Sequence, residues 1–312
     1  MSDSPKHQQP LDSKGLVLAF AAYLIWGAFP FYFKLLSAAG AFEIIGHRIV
    51  WTFVFCLLAV VLWREVGHLR EVLAHPKLFW GLTASGLLVT INWSIYVWGV
   101  LNDHVVDAAL GYFINPLVTV GLAVVVLKER LRLAQKVAVG VGALAVVVIA
   151  FGYGQVPWVA LSLAITFGLY GLAKNKVGGR VSPLVGLTVE TALLTPIALA
   201  FLVWLQANGT SQFLANGPGL TIGLVAAGLV TAVPLVMFAA AAGRIPLSMI
   251  GLIQYLTPTI QFAFGVWINH EVMPLPRWLG FGLVWVALVI LTVDSLRAAR
   301  GHVPVGEPEV MN

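Results

Sequence analysis

The chain has 312 residues, of which 60% are hydrophobic and only 10% charged, and its mean hydropathy is +0.93. Ordinary soluble chains carry about 25% charged residues, so this composition excludes a soluble globular domain and predicts a polytopic membrane protein. The net charge of +5 does not argue for nucleic acid, because the basic residues sit in short loops between apolar runs, and the single cysteine, Cys56, excludes an internal disulfide framework or a cysteine-rich metal site.

A membrane-spanning helix needs about 20 mostly apolar residues. In chain order the candidates are 15–36, 43–63, 78–98, 106–127, 133–151, 157–173, 184–205, 220–242, 247–268 and 276–294. The polar stretch 1–14 is expected to be a cytoplasmic tail before an uncleaved first span, and 295–312 a cytoplasmic C-terminal tail. Segment 157–173 is the shortest of the ten and is rich in glycine. Alternate loops collect the basic residues. Arg64, Arg70 and Lys77 follow span two. Lys128, Arg130, Arg132 and Lys136 follow span four. Lys174, Lys176 and Arg180 follow span six, and Arg244 follows span eight. With Lys6, Lys14, Arg297 and Arg300 in the tails, only Lys34, Arg48 and Arg277 of the 18 Lys and Arg remain elsewhere. Positive charge stays inside, so both termini are expected in the cytoplasm.

Span four runs GYFINPLVTVGLAVVVLKE, Gly111 to Glu129, and span nine repeats its plan as QYLTPTIQFAFGVWINHE, Gln254 to Glu271. In each copy a proline, Pro116 or Pro258, precedes the glutamate by thirteen residues, and the copies are offset by 142 residues. Gly140 and Gly282 share that offset. The pattern predicts an all-α fold of ten helices built from two five-helix halves, 15–151 and 157–294. Five is odd, so the second half is expected to lie inverted relative to the first. Inverted repeats are a ground plan of secondary transporters, with the substrate site between the halves near mid-membrane.

Ionisable and amide side chains inside spans are costly and default to functional candidates. Arg48 is a candidate anchor for an anionic or zwitterionic substrate; the alternative is an interfacial arginine that snorkels or pairs with Glu43. His47 is either a proton-coupling switch or a structural group bonded to a carbonyl. Glu190 is a candidate for proton coupling or, alternatively, for a helix-to-helix hydrogen bond. Lys34 is a candidate gate. The uncharged candidates for a cavity lining are Tyr23, Trp26, Asn92, Trp93, Tyr96, Tyr112, Asn115, Gln254, Tyr255 and Gln261. Asn92 and Tyr96 share one helical face, as do Tyr112 and Asn115. Pro116 and Pro258 each free a carbonyl one turn earlier and are candidate hinges. Trp158, Trp204 and Trp278 read as interfacial-belt residues. The run Asn102–Asp107 reads as a solvated outer loop. Gly81 with Ser85, and Gly219 with Gly223, have the spacing of close helix contacts within the chain, without excluding a weak homodimer. Glu129 and Glu271 read as structural terminators.

Several segments resemble the drug/metabolite transporter superfamily, EamA-type, and its RarD-like branch. They are KGLVLAFAAYLIWGAFPFYFKLL at 14–36, EIIGHRIVWTFVF at 43–55, INWSIYVWGVLNDHVVDAALGYFINPL at 91–117 and LKERL at 127–131, together with the duplicated proline–glutamate pattern. The resemblance implies an inner-membrane carrier of small organic molecules with no bound cofactor, and it leaves the substrate open. It departs from an even repeat at Asn269-His270-Glu271, where the first copy reads Leu127-Lys128-Glu129.

No phosphate-binding glycine loop, no nucleophile elbow and no second histidine near His270-Glu271 is present, so ATP-driven pumping, serine hydrolysis and zinc proteolysis are not expected. The expected activity is non-enzymatic: secondary transport of small organic metabolites or drug-like molecules, with export the expected direction, coupled to protons or a counter-substrate. The alternative is a membrane scaffold or lipid-handling protein without soluble cargo, which has no need of Asn92, Asn115, Gln254 and Gln261 at membrane depth.

Overall fold

The computed structural model describes residues 12–128, 131–177 and 180–301, and every regular element among them is helical. The terminator Glu129 and its neighbour Arg130 lie outside the described residues. The helices are α1 (Ser13–Gly27), α2 (Phe29–Leu35), α3 (Gly40–Leu62), α4 (Val66–Ala74), α5 (Pro76–Leu101), α6 (Val105–Leu127) and α7 (Leu133–Tyr153). Then follow α8 (Trp158–Val177), α9 (Pro183–Ala192), α10 (Thr195–Ala207), α11 (Gly217–Ala242), α12 (Leu247–Ile253), α13 (Leu256–Ala263) and α14 (Leu275–Gly301), with a π-helical segment at Phe264–Ile268 after α13.

Among the described residues seven helices are, by length and composition, able to cross a bilayer, or up to nine if each of two bent pairs counts as one span. The protein is therefore a multi-pass helical membrane protein. The segment expected at 157–173 is helical, but its apolar stretch, Trp158–Lys174, is shorter than those of the other spans.

Two expected spans are not straight. Span one bends by 41° between α1 and α2, and span seven bends by 50° between α9 and α10. Proline chemistry accounts for both. A proline cannot donate to the carbonyl four residues earlier. Pro30 thereby removes the helical donor of the Trp26 carbonyl at the end of α1, which a backbone N–H of the cap still reaches, and Pro196 removes that of Ala192, the last residue of α9. Pro258 does the same to Gln254, where α12 gives way to α13. Pro116 and Pro234, by contrast, sit inside continuous helices.

The chain divides into two compact units. The first holds the residues up to Asn115 together with Pro157–Met273. Within it α3 packs on α9, α10 and α11, α5 packs on α8 and α9, and α1 packs on α11 and α13. Two glycines permit the closest of these approaches. A Cβ on Gly86 of α5 would lie 2.6 Å from the Glu190 carbonyl oxygen of α9, and a Cβ on Gly228 of α11 would lie 2.6 Å from both the Thr52 nitrogen and the Trp51 oxygen of α3. Gly223, one of the expected contact glycines, meets Leu36, whereas a Cβ on Gly219 would meet nothing within 4 Å. The second unit holds Pro116–Val156 and the residues from Pro274 onward, and in it α7 packs along α14.

Large apolar side chains such as Phe42, Leu62, Ile197, Val203 and Ile222 are more than half exposed, as is the belt candidate Trp204, and the belt candidates Trp158 and Trp278 are exposed to a lesser degree, while Glu43, Arg48, Asn92, Glu190 and Gln261 are buried. This inversion of the soluble pattern is what lipid as solvent demands: apolar groups face outward and polar groups find partners inside.

Candidate functional site

Arg48 sits in the third turn of α3 and is 3% exposed. Its guanidinium carbon lies 4.1 Å from the centroid of the Trp93 ring on α5 and 5.4 Å from those of Phe29 and Phe33 on α2. Nε donates to Thr231 Oγ1 of α11 at 2.9 Å, and that hydroxyl in turn donates to the Ala227 carbonyl. Nη1 is buried without a hydrogen-bond partner. Among the described residues no carboxylate lies within 4 Å of this guanidinium. Both alternatives to a site are thereby corrected. Arg48 does not snorkel, and it does not pair with Glu43, whose oxygens accept instead from Ser211 Oγ and the backbone N–H groups of Gln212 and Phe213. Three aromatic faces supply cation–π attraction, but they do not replace a counter-ion.

Around Arg48 the structure gathers much of the expected lining. The Tyr96 ring lies 6.1 Å from Phe33 and 5.7 Å from Tyr112, and the Tyr112 hydroxyl donates to Asn92 Oδ1 at 3.4 Å. Asn92 Nδ2 is held by the Leu163 carbonyl and Thr166 Oγ1 of α8. The Tyr96 hydroxyl and Asn115 Oδ1 have no protein partner.

A second aromatic group joins Tyr23 and Trp26 of α1 to Phe238 of α11, with centroids 5.2 to 6.0 Å apart. The Trp26 carbonyl, which loses its helical donor at Pro30, accepts from Gln261 Nε2 at 3.1 Å, and the Tyr23 carbonyl accepts from Thr257 Oγ1 at 2.8 Å. Gln261 is thus partly spent on closing the break in span one, although its Oε1 remains buried without a partner. Gln254 Nε2 bonds back to the Gly251 carbonyl, and Tyr255 is half-buried beside it.

The other ionisable candidates fall elsewhere. His47 points to the Glu43 cluster: its ring lies 4.5 Å from that of Phe213, and Nε2 is 4.0 Å from Glu43 Oε1. Neither ring nitrogen bonds to a carbonyl, which corrects that expectation. Glu190, 1% exposed, accepts from Ser85 Oγ at 2.6 Å and from Lys174 Nζ at 2.8 Å through one oxygen, while Oε2 has no partner. Lys174 therefore lies on α8 as an ion-pair partner and not in a loop. Lys34 pairs with Asp103 at 2.5 Å, and Asn269 donates to the same carboxylate. The hydrogen bond from Lys34 holds the Asp103 carboxyl below its ordinary range. A depressed carboxylate stabilises the folded state above its unfolded pKa, so this contribution is lost as pH falls through the folded value.

The Asn102–Asp107 run is only in part a loop. From Val105 it is the first turn of α6, where Asp107 is buried and accepts from or pairs with His104 at 2.9 Å. Glu271 caps that turn: its two oxygens accept the N–H groups of Val105 and Val106 at 2.6 and 3.0 Å. The terminator role expected for Glu271 takes this form, a carboxylate on the positive end of another helix. Glu271→Ala leaves two backbone donors without their acceptor and is expected to cost roughly 1–2 kcal/mol, with Glu271→Gln costing less. Thermal unfolding in detergent measures this, and an unchanged melting temperature in Glu271→Ala would remove the cap from the account.

Partners that sequence reasoning missed are Phe29, Phe33 and Thr231 around Arg48, Phe238 beside Trp26, and Lys174 with Ser85 at Glu190. The cluster of aromatics in AFPFYF was visible, but nothing local ties it to Arg48.

Comparison with known proteins places these features among relatives. Residues 13–151 match the model of the EamA-like transporter family. The chain is 50% identical over 287 residues to Protein RarD of Streptomyces exfoliatus, covering 92% of this chain and 90% of that one. It is 38% identical to Protein RarD of Escherichia coli strain K12, covering 92% and 96%. It is 29% identical to the Chloramphenicol-sensitive protein RarD of Pseudomonas aeruginosa, covering 93% and 97%. A solved crystal structure with 18% sequence identity superposes with a TM-score of 0.56 over 90% of this chain and 98% of that chain, which supports the fold alone.

Proposed function

The chain belongs to the EamA-like transporter family, in its RarD-like branch, and on that premise we propose that it is a secondary-active exporter whose cargo binds at Arg48. The observation that carries this reading is a buried guanidinium with a free Nη1, no carboxylate of the described residues within 4 Å and aromatic walls from α2 and α5. A scaffold gains nothing from such a group. A carrier gains a reversible charge contact that the cargo completes on binding. Asn92, Trp93, Tyr96, Tyr112 and Asn115 complete the lining, with Tyr23, Trp26, Gln254, Tyr255 and Gln261 along the cargo's path. Pro116 and Pro258 act as hinges and the Lys34–Asp103 pair as a gate.

The carrier sits in the inner membrane with both termini in the cytoplasm and works by alternating access between two inverted five-helix halves, 15–151 and 157–294. In a cysteine-free background (Cys56→Ala), a cysteine placed at Arg130 is expected to react with an impermeant maleimide only from the cytoplasm, and one placed at His270 only from outside. Reaction of both from one side would overturn the inverted arrangement.

Glu190 couples transport to protons: it is buried, shares one oxygen between Ser85 and Lys174, and keeps the other unpartnered. Comparison of metabolites released by cells with and without the protein identifies a cargo, and its transport into proteoliposomes tests the function directly. Glu190→Gln is expected to transport without dependence on pH. Retention of the wild-type pH profile would assign Glu190 to helix packing.

A further inference from the structure

We infer that the cargo is an organic anion of single negative charge on a flat apolar body, as in an aryl carboxylate or aryl sulfonate. This rests on the reading of Arg48 as the cargo site.

The charge follows from what surrounds Arg48. The buried acidic groups of the first unit are already engaged: Glu43 by Ser211, Gln212 and Phe213, Asp107 by His104, and Glu190 by Lys174. A cationic group brought to Arg48 would meet a like charge and no carboxylate. A neutral cargo would leave the guanidinium uncompensated in a water-poor interior. One negative charge neutralises it, and a dianion would leave an excess of its own.

The shape of the body follows from the walls. Phe29, Phe33 and Trp93 lie within 5.4 Å of the guanidinium carbon by ring centroid, and Tyr96 packs on Phe33. The guanidinium takes one face of each of these rings, and a flat aryl body beside it packs against their edges and the Tyr96 ring. Two buried donors, Arg48 Nη1 and the Tyr96 hydroxyl, have no protein acceptor. An anionic head with two or three oxygens can satisfy both, and unlike an amide it also supplies the charge that the guanidinium lacks.

The test uses the purified full-length carrier in detergent and reads ligand-induced shifts in melting temperature. Benzenesulfonate is the probe, because it stays anionic at every working pH. Its comparators are benzenesulfonamide (neutral), phenyltrimethylammonium (cationic), phenylalanine (zwitterionic) and methanesulfonate (no ring). Benzenesulfonate is expected to give a saturable upward shift at least several-fold larger than any comparator, and Arg48→Met is expected to abolish it. An equal or larger shift from the sulfonamide, the ammonium or phenylalanine would overturn the anionic class. An equal shift from methanesulfonate would overturn the flat body. No saturable shift from benzenesulfonate would overturn both. The wild-type comparison decides these points even if Arg48→Met fails to fold. A comparator that wins and still depends on Arg48 leaves the site standing while the anion falls; shifts that persist unchanged in Arg48→Met overturn the site itself.

Discussion

Arg48→Met is expected to reduce transport at least a hundredfold while leaving the protein inserted and raising its melting temperature. The two halves of that expectation have one cause. A buried charge without a counter-ion carries a desolvation cost of roughly several kcal/mol, and replacing such a group by an apolar one of similar length relieves it. Methionine keeps the flexible stem and adapts to the aromatic faces of Phe29, Phe33 and Trp93. What is lost is the charge that the cargo completes and the hydrogen bond to Thr231, whose hydroxyl retains its bond to the Ala227 carbonyl. A structural arginine behaves in the opposite way: its removal lowers the melting temperature, and the yield of inserted protein falls with activity. Transport by Arg48→Met at the wild-type rate would move the cargo site elsewhere. Arg48→Lys separates charge from geometry. It keeps the positive charge but not the planar fork, so a loss of more than tenfold there assigns the fork a role.

Gly228→Ala is expected to be the most damaging single-methyl change in the first unit. Its Cβ would fall 2.6 Å from both the Thr52 nitrogen and the Trp51 oxygen. Those are backbone atoms, so no rotamer change on α3 relieves the clash. The helices must separate, at a cost of about 1–3 kcal/mol or more for overpacking, and α11 carries Thr231 outward with it, one turn from the lesion. We expect low membrane yield, a melting temperature lowered by several degrees in the protein that is recovered, and transport impaired beyond what the yield explains. Gly140→Ala is the matched control, because a Cβ there meets nothing within 4 Å. In a helix that change is neutral or stabilising by up to about 1 kcal/mol. Equal melting temperatures for Gly228→Ala and wild type would mean that α3 and α11 tolerate separation at this crossing.

Arg48, Asn92, Trp93, Tyr96 and Tyr112 were readable as site candidates because a polar group inside an apolar run is costly wherever the helix ends up. The same argument selected His47, which lacks the carbonyl partner expected for it, and Glu190, whose expected helix-to-helix hydrogen bond forms with Ser85 of α5. One helical step, about 100°, turns His47 toward Phe213 and away from the rings that surround Arg48. Glu190 finds Lys174, which positive charge near a helix end had marked as a loop residue. The bends in spans one and seven were present in the sequence as Pro30 and Pro196. Proline alone does not decide the outcome, since α6 and α11 run through Pro116 and Pro234 unbroken. Gln261 of α13 supplies the donor that Trp26 loses, and that compensation belongs to another helix, 235 residues away.

Sequence by itself determined the solvent of this protein, its helical class, its family and the identity of its costly residues, because hydropathy, proline position and charge spacing act along the chain. Tertiary structure alone decided which of those costs are met. Glu43, Glu190 and Glu271 each find donors on distant segments, whereas Arg48 keeps an unpartnered nitrogen among aromatic rings. Side-chain hydrogen bonds and ion pairs form between surfaces brought together by packing, and a one-dimensional pattern carries no measure of that distance.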